Sequence, residues 1–240
     1  MRSLSYMAQT VGVLIIGSLY WRGGGRKRWR EWRLTNREWL VKAPIQYCRL
    51  SGNRTYTMVF SDLPKDQFGQ ARVVQCKSVV RSFSDLLCEA EWLWSAEEST
   101  DKKDMVPRFR VCRPEHRISP KKGEWGCVAL LNNPSSKMPE NLLDKWAKRV
   151  EKEAHYNANM RRRVDSHGML QIPWPNLSSD GNPVPIDLLL ATSNDREATC
   201  PAVREIAEAW NQQPVVDYFR RNRENGIQTF QDHAIQHLLH

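Results

Sequence analysis

Two stretches of the sequence hold residue types that could do chemistry together. The first is Gly17-Ser18-Leu19, directly after the apolar run VGVLII at residues 11–16. A strand that runs out into Gly-Ser can present successive backbone N–H groups. Glycine lets the chain turn and approach a ligand closely, and the amides then form a nest for an anion or a developing oxyanion. The second is Glu97, which continues the helical face made by Leu86, Ala90 and Leu93. A carboxylate at the end of an apolar stripe loses water and its pKa rises, which suits it to take and return a proton near neutral pH. The plainer alternatives are a simple strand exit for the tripeptide and a solvated helix end for Glu97.

Several elements must position these residues. Residues 11–16 read as a buried strand and 26–40 as a helix with Trp29, Trp32, Trp39 and Leu40 partly buried. Strands at 43–50 and 55–60 flank a Gly-Asn turn and predict a hairpin. A strand follows at 70–80, and then a helix over 84–98 with Ser84 as its N-cap. Strands are expected at 108–112, 125–132 and 186–191. Pro139 opens a helix with Leu142, Leu143, Trp146 and Val150 on one stripe. A proline-rich loop spans 171–185. Short helices are expected from Pro201 to Trp210, from Pro214 to Arg223, and after Thr229 with Asp232 completing a capping box.

The chain has 240 residues and a net charge of +9, with 26% charged and 40% hydrophobic residues, which fits a folded chain with a substantial core rather than disorder. The charge is concentrated. Eight Lys/Arg lie between Arg22 and Lys42 against Glu31 and Glu38, interleaved with Trp29, Trp32 and Trp39. Arginine among aromatics can bind single-stranded nucleic acid. The plainer expectation is a basic face with arginine stems laid over apolar surface, and the patch could also rim a pocket for an anion. Arg161-Arg162-Arg163 and Arg220, Arg221 and Arg223 are smaller clusters. No recognised nucleic-acid module accompanies them, which favours a pocket-based function.

None of the six cysteines has C-x-x-C spacing. They read as reduced, mostly buried thiols of a cytoplasmic protein, so the sequons at Asn53 and Asn176 carry no meaning. The opening apolar run has its charge after rather than before it, and it is too short for a membrane helix, so neither a targeting segment nor a membrane partner is expected. His233, His237 and His240 share one side of the last helix but lack a nearby acidic or cysteine ligand, so no metal is expected. Gly23-Gly24-Gly25-Arg26-Lys27 lacks phosphate-loop spacing and reads as a flexible turn. His116 and His167 sit in polar loops.

A Gly-Ser loop after the first strand, a hairpin, a further strand and a helix ending in a glutamate together resemble the γ-glutamylcyclotransferase-like family. The family's first strand ends in Tyr-Gly-Ser-Leu, where this chain has Ile16-Gly17-Ser18-Leu19. Its catalytic glutamate corresponds to the end of Leu93-Trp94-Ser95-Ala96-Glu97, and residues 49–59 look like the hairpin of its uncharacterised bacterial members. The resemblance covers about residues 11–132. It implies an α+β fold with a mixed, barrel-like sheet, surrounding helices and a helical C-terminal extension. The barrel-like domain would span 1–156, with 157–240 packed on it. It also implies cyclisation of a γ-glutamyl amide without a cofactor. Glu97 would act as general acid and base, the amides of Gly17, Ser18 and Leu19 would hold the substrate, and Arg49 or Arg54 would pair with a carboxylate. Ile16 departs from the signature, because the tyrosine hydroxyl is missing there. The alternatives are a non-catalytic module of the same fold for a small anionic or nucleotide-like ligand, and a nucleic-acid binder through residues 22–42. The sequence leaves the oligomeric state open.

Overall fold

The computed structural model describes residues 8–51, 55–98, 126–152, 163–212 and 217–239. Arg54, His116, His240, Arg161, Arg162 and the expected strand at 108–112 lie outside these residues. In chain order the elements are β1 (Gln9–Ile15), α1 (Gly25–Arg33), β2 (Leu34–Ala43), β3 (Ile45–Leu50), β4 (Tyr56–Phe60), β5 (Gly69–Val80), α2 (Phe83–Glu98), β6 (Gly126–Asn132), α3 (Glu140–Val150), β7 (Leu188–Asn194), α4 (Val203–Asn211), α5 (Asp217–Glu224) and α6 (Asp232–Gln236).

The VGVLII run lies at the centre of a five-stranded sheet ordered β2-β5-β1-β7-β6. Val13 pairs with Val74 of antiparallel β5 on one side and with Leu190 of parallel β7 on the other. Side chains alternate across the sheet, so each strand feeds two cores. Val11, Val13 and Ile15, with Val74, Cys76, Leu188 and Leu190, pack under α1, α2 and α3 around the buried Trp29, Trp94 and Trp146. Leu14 and Ile16, with Val73, Leu189 and Ala191, pack on the opposite side under the β3–β4 hairpin and α4–α6. Burial on both faces explains why β1, β6 and β7 read as nearly continuous apolar runs.

The structure is α+β with a mixed sheet, and it departs from the sequence expectations in five places. First, no closed barrel forms among the described residues, since the five strands make one sheet and β3–β4 a separate pair. Second, the helix expected over 26–40 stops at Arg33. Leu34 begins an edge strand that hydrogen-bonds to β5, and that pairing overrides the helical spacing of the tryptophans. Gly24, at φ 63°, makes the turn into α1. Third, the N-cap of α2 is Ser82 rather than Ser84. Asp85 N–H donates to Ser82 Oγ at 3.2 Å and Ser82 N–H to Asp85 Oδ2 at 2.9 Å, a reciprocal capping pair.

Fourth, the segment after residue 157 does more than pack on a finished sheet, because β7 lies between β1 and β6. Fifth, the cysteines are not all reduced. Cys48 and Cys200 form a disulfide across 152 residues, and Cys88 is also disulfide-bonded, while Cys76 and Cys127 are buried thiols outside any disulfide. Disulfides are rare in a reducing cytosol, so the cytoplasmic expectation loses the thiol argument on which it rested. No helix among the described residues is long and apolar enough to cross a membrane.

Candidate functional site

β1 delivers the Gly17-Ser18-Leu19 loop to one end of the sheet, and the last turn of α2 arrives at the same place. Both line a polar cavity of about 630 Å³, together with Arg49 of β3, Tyr218 of α5 and Asn194 at the end of β7. The loop closes as a tight turn, with Tyr20 N–H donating to Gly17 O at 3.0 Å and Arg22 N–H to Ser18 O at 2.9 Å. The N–H groups of Ser18 and Leu19 make no hydrogen bond among the described residues. They therefore form the open start of a helical turn, a geometry that suits an anion.

Arg26 connects the loop to the glutamate. From the first turn of α1 its Nη1 donates to Ser18 Oγ at 2.8 Å, its Nε to Ala96 O at 3.3 Å and its Nη2 to Glu97 O at 3.1 Å. The same Nη2 lies 4.0 Å from Glu97 Oε2, and the two side chains are only 10% and 12% exposed. One guanidinium thus caps the carbonyl end of α2 and fixes the Ser18 hydroxyl. Burial pushes the Glu97 carboxyl above its usual range, opposed by Arg26, Arg49 and Arg22 in that order. Burial pushes the Arg49 guanidinium down, opposed first by Glu97.

Glu97, Gly17, Ser18, Leu19 and Arg49 therefore share one cavity, while Arg54 lies outside the described residues. Ile16 is 8% exposed and gives the cavity an apolar wall where the signature has a tyrosine. The basic run at 22–42 is only in part the solvated face that was expected: Arg22, Lys27, Arg37 and Lys42 are exposed, and three other arginines turn inward. Arg26 turns into the site, Arg30 donates to Leu19 O and Arg22 O, and Arg33 pairs with Glu89 of α2. Three arginines at helical spacing anchor α1 to the loop and to α2, which removes them from any nucleic-acid face. Arg221 lines the cavity, pairs with Asp217 at 2.6 Å and lies over the Trp21 ring at 5.4 Å. His233 and His237 place their Nε2 atoms 3.3 Å apart on the exposed side of α6, and neither lines the cavity.

Sequence reasoning missed Arg26 and Tyr218. Arg26 was one cation in a basic run, and no local pattern marks Tyr218, which follows Ser18 by 200 positions. No family model matches the chain, and no curated protein or solved structure matches it.

Proposed function

We infer that the cavity binds a γ-glutamyl compound and cyclises it to 5-oxoproline and a free amine, as the resemblance implies. The observation that carries this reading is the meeting of a desolvated Glu97 carboxylate with the open amides of the Ser18 loop in one polar cavity. The substrate's α-amine attacks its own γ-carbonyl carbon while Glu97 takes a proton from that nitrogen. The carbonyl oxygen gains negative charge, which the Ser18 and Leu19 N–H groups and the Arg26 clamp behind them stabilise. The bond to the leaving amine then breaks, and Glu97 returns the proton to the leaving nitrogen. Attack within one molecule needs only a held geometry, so binding supplies much of the rate. Arg49, which lines the same cavity as Glu97, pairs with a substrate carboxylate.

Glu97→Gln keeps the size and loses the proton transfer. A fall of ~10²–10⁴-fold in 5-oxoproline release from γ-glutamyl amino acids is expected, with the folded state retained. Release at the wild-type rate would remove Glu97 from the mechanism. A binding module for a small anion is the second reading. It is favoured by the arginines Arg22, Arg26, Arg49 and Arg221 around the cavity and by the apolar Ile16 in place of a hydroxyl. It predicts that the wild type binds a γ-glutamyl probe and leaves it intact.

A further inference from the structure

The segment after residue 157 brings a hydroxyl group to the cavity, on Tyr218 in α5. A Cβ built on Gly17 would lie 2.6 Å from the Tyr218 hydroxyl oxygen, so this oxygen sits directly against the start of the Ser18 loop. Gly17 is therefore needed for close approach, since a side chain there would displace the phenol. Tyr218 is held from two sides. Met58 N–H of β4 donates to the phenol oxygen at 3.3 Å. Trp21 meets the ring edge-on at 6.1 Å between centroids, and its Nε1 donates to Asn222 Oδ1, one turn further along α5, at 2.7 Å.

These contacts leave the phenol in a one-sided state. Its oxygen accepts a hydrogen bond, and among the described residues no acceptor takes its own proton. A cavity-facing O–H with its acceptor side engaged is a donor awaiting an oxygen. We propose that Tyr218 is a ligand-binding residue whose hydroxyl donates to a carboxylate or carbonyl oxygen of the molecule held at the Gly17–Ser18 loop. Burial pushes this phenol up to about 12, opposed first by the hydrogen bond from Met58 N–H, so it stays protonated at neutral pH. The C-terminal segment then completes the binding site, and it supplies a hydroxyl where Ile16 cannot.

The inference rests on the γ-glutamyl reading for its probe but not on turnover. Binding of γ-glutamyl-alanine and of L-glutamate would be measured by calorimetry on the wild-type chain, Tyr218→Phe and Gly17→Ala, with thermal melting of each. Tyr218→Phe should bind about ten-fold more weakly, the scale of one lost hydrogen bond to a charged oxygen, while the loss of the acceptor for Met58 N–H lowers its melting temperature without unfolding it. Gly17→Ala should weaken binding in the same direction by displacing the phenol. Equal affinity in Tyr218→Phe and the wild type overturns the proposal. A wild type that binds neither probe overturns it together with the γ-glutamyl reading. Binding that depends on Tyr218 without release of 5-oxoproline supports the proposal and overturns cyclisation alone.

Discussion

Arg26 is the residue on which the cavity's electrostatics turn. It touches both halves of the site, through Ser18 Oγ and through the carbonyls of Ala96 and Glu97, and its charge opposes the burial that raises Glu97. On the cyclisation reading Glu97 works in its ionised form, so activity is expected to rise with pH through its pKa. Removing the Arg26 charge lets burial act with less opposition, and the pKa climbs further. Arg26→Gln should therefore move the acid limb of the kcat/KM profile to higher pH, while Arg26→Lys, which keeps the cation, should move it less. A shift to lower pH, or none, would show that Arg26 does not set the charge state of Glu97. The raised pKa also has a stability consequence with a definite sign. The folded chain holds the Glu97 proton more tightly than the unfolded chain does. This contribution is fully present below the ordinary carboxylate value and is lost as pH rises through the folded value.

At the scale of elements, α2 turns core packing into site geometry. Leu86, Ala90 and Leu93 are fully buried against the sheet, and Glu97 follows on the same face one turn later. That stripe was legible in the sequence, because a period near 3.6 with one charged member stands out. Leu93→Ala should cost ~2–5 kcal/mol through the cavity it leaves, measured by urea unfolding. It should also lower 5-oxoproline release, since Leu93 seats the turn that carries Glu97. A large stability loss with unaltered turnover would separate the packing of α2 from the placement of Glu97. The boundary of α1 was not legible. The tryptophans at 29, 32 and 39 fit a single helix, and only the hydrogen-bonding edge of β5 ends it at Arg33.

At the scale of the whole molecule, the last third of the chain is part of the sheet and of the site. β7 carries Asn194 to the cavity, α5 carries Tyr218, and the Cys48–Cys200 bond ties the stretch after β7 to the hairpin strand that bears Arg49. A cross-link between residues so far apart restricts the unfolded chain, by ~2–4 kcal/mol in typical cases. Replacing both Cys48 and Cys200 by serine should lower stability by that amount. Alkylation without reductant, read by mass spectrometry, should leave both cysteines of the wild type unlabelled. Labelling of both would show that the bond is absent in solution.

Local pattern determined much of this protein. Alternation and apolar runs mark β1, the β3–β4 hairpin, β5, β6 and β7, and the helical stripes mark α2, α3 and α4. Gly17-Ser18-Leu19 and Glu97 were visible as chemistry because glycine after a strand and a carboxylate on an apolar face are each locally unusual. Tertiary structure decided everything that depends on which distant segments become neighbours. It placed β7 beside β1, opened the expected barrel into a sheet, turned Arg26, Arg30 and Arg33 inward, joined Cys48 to Cys200 and set Tyr218 against Gly17. The physical reason is that periodicity reports only which face of an element avoids water. The partner of a buried arginine, thiol or phenol is chosen by the packing of the whole chain.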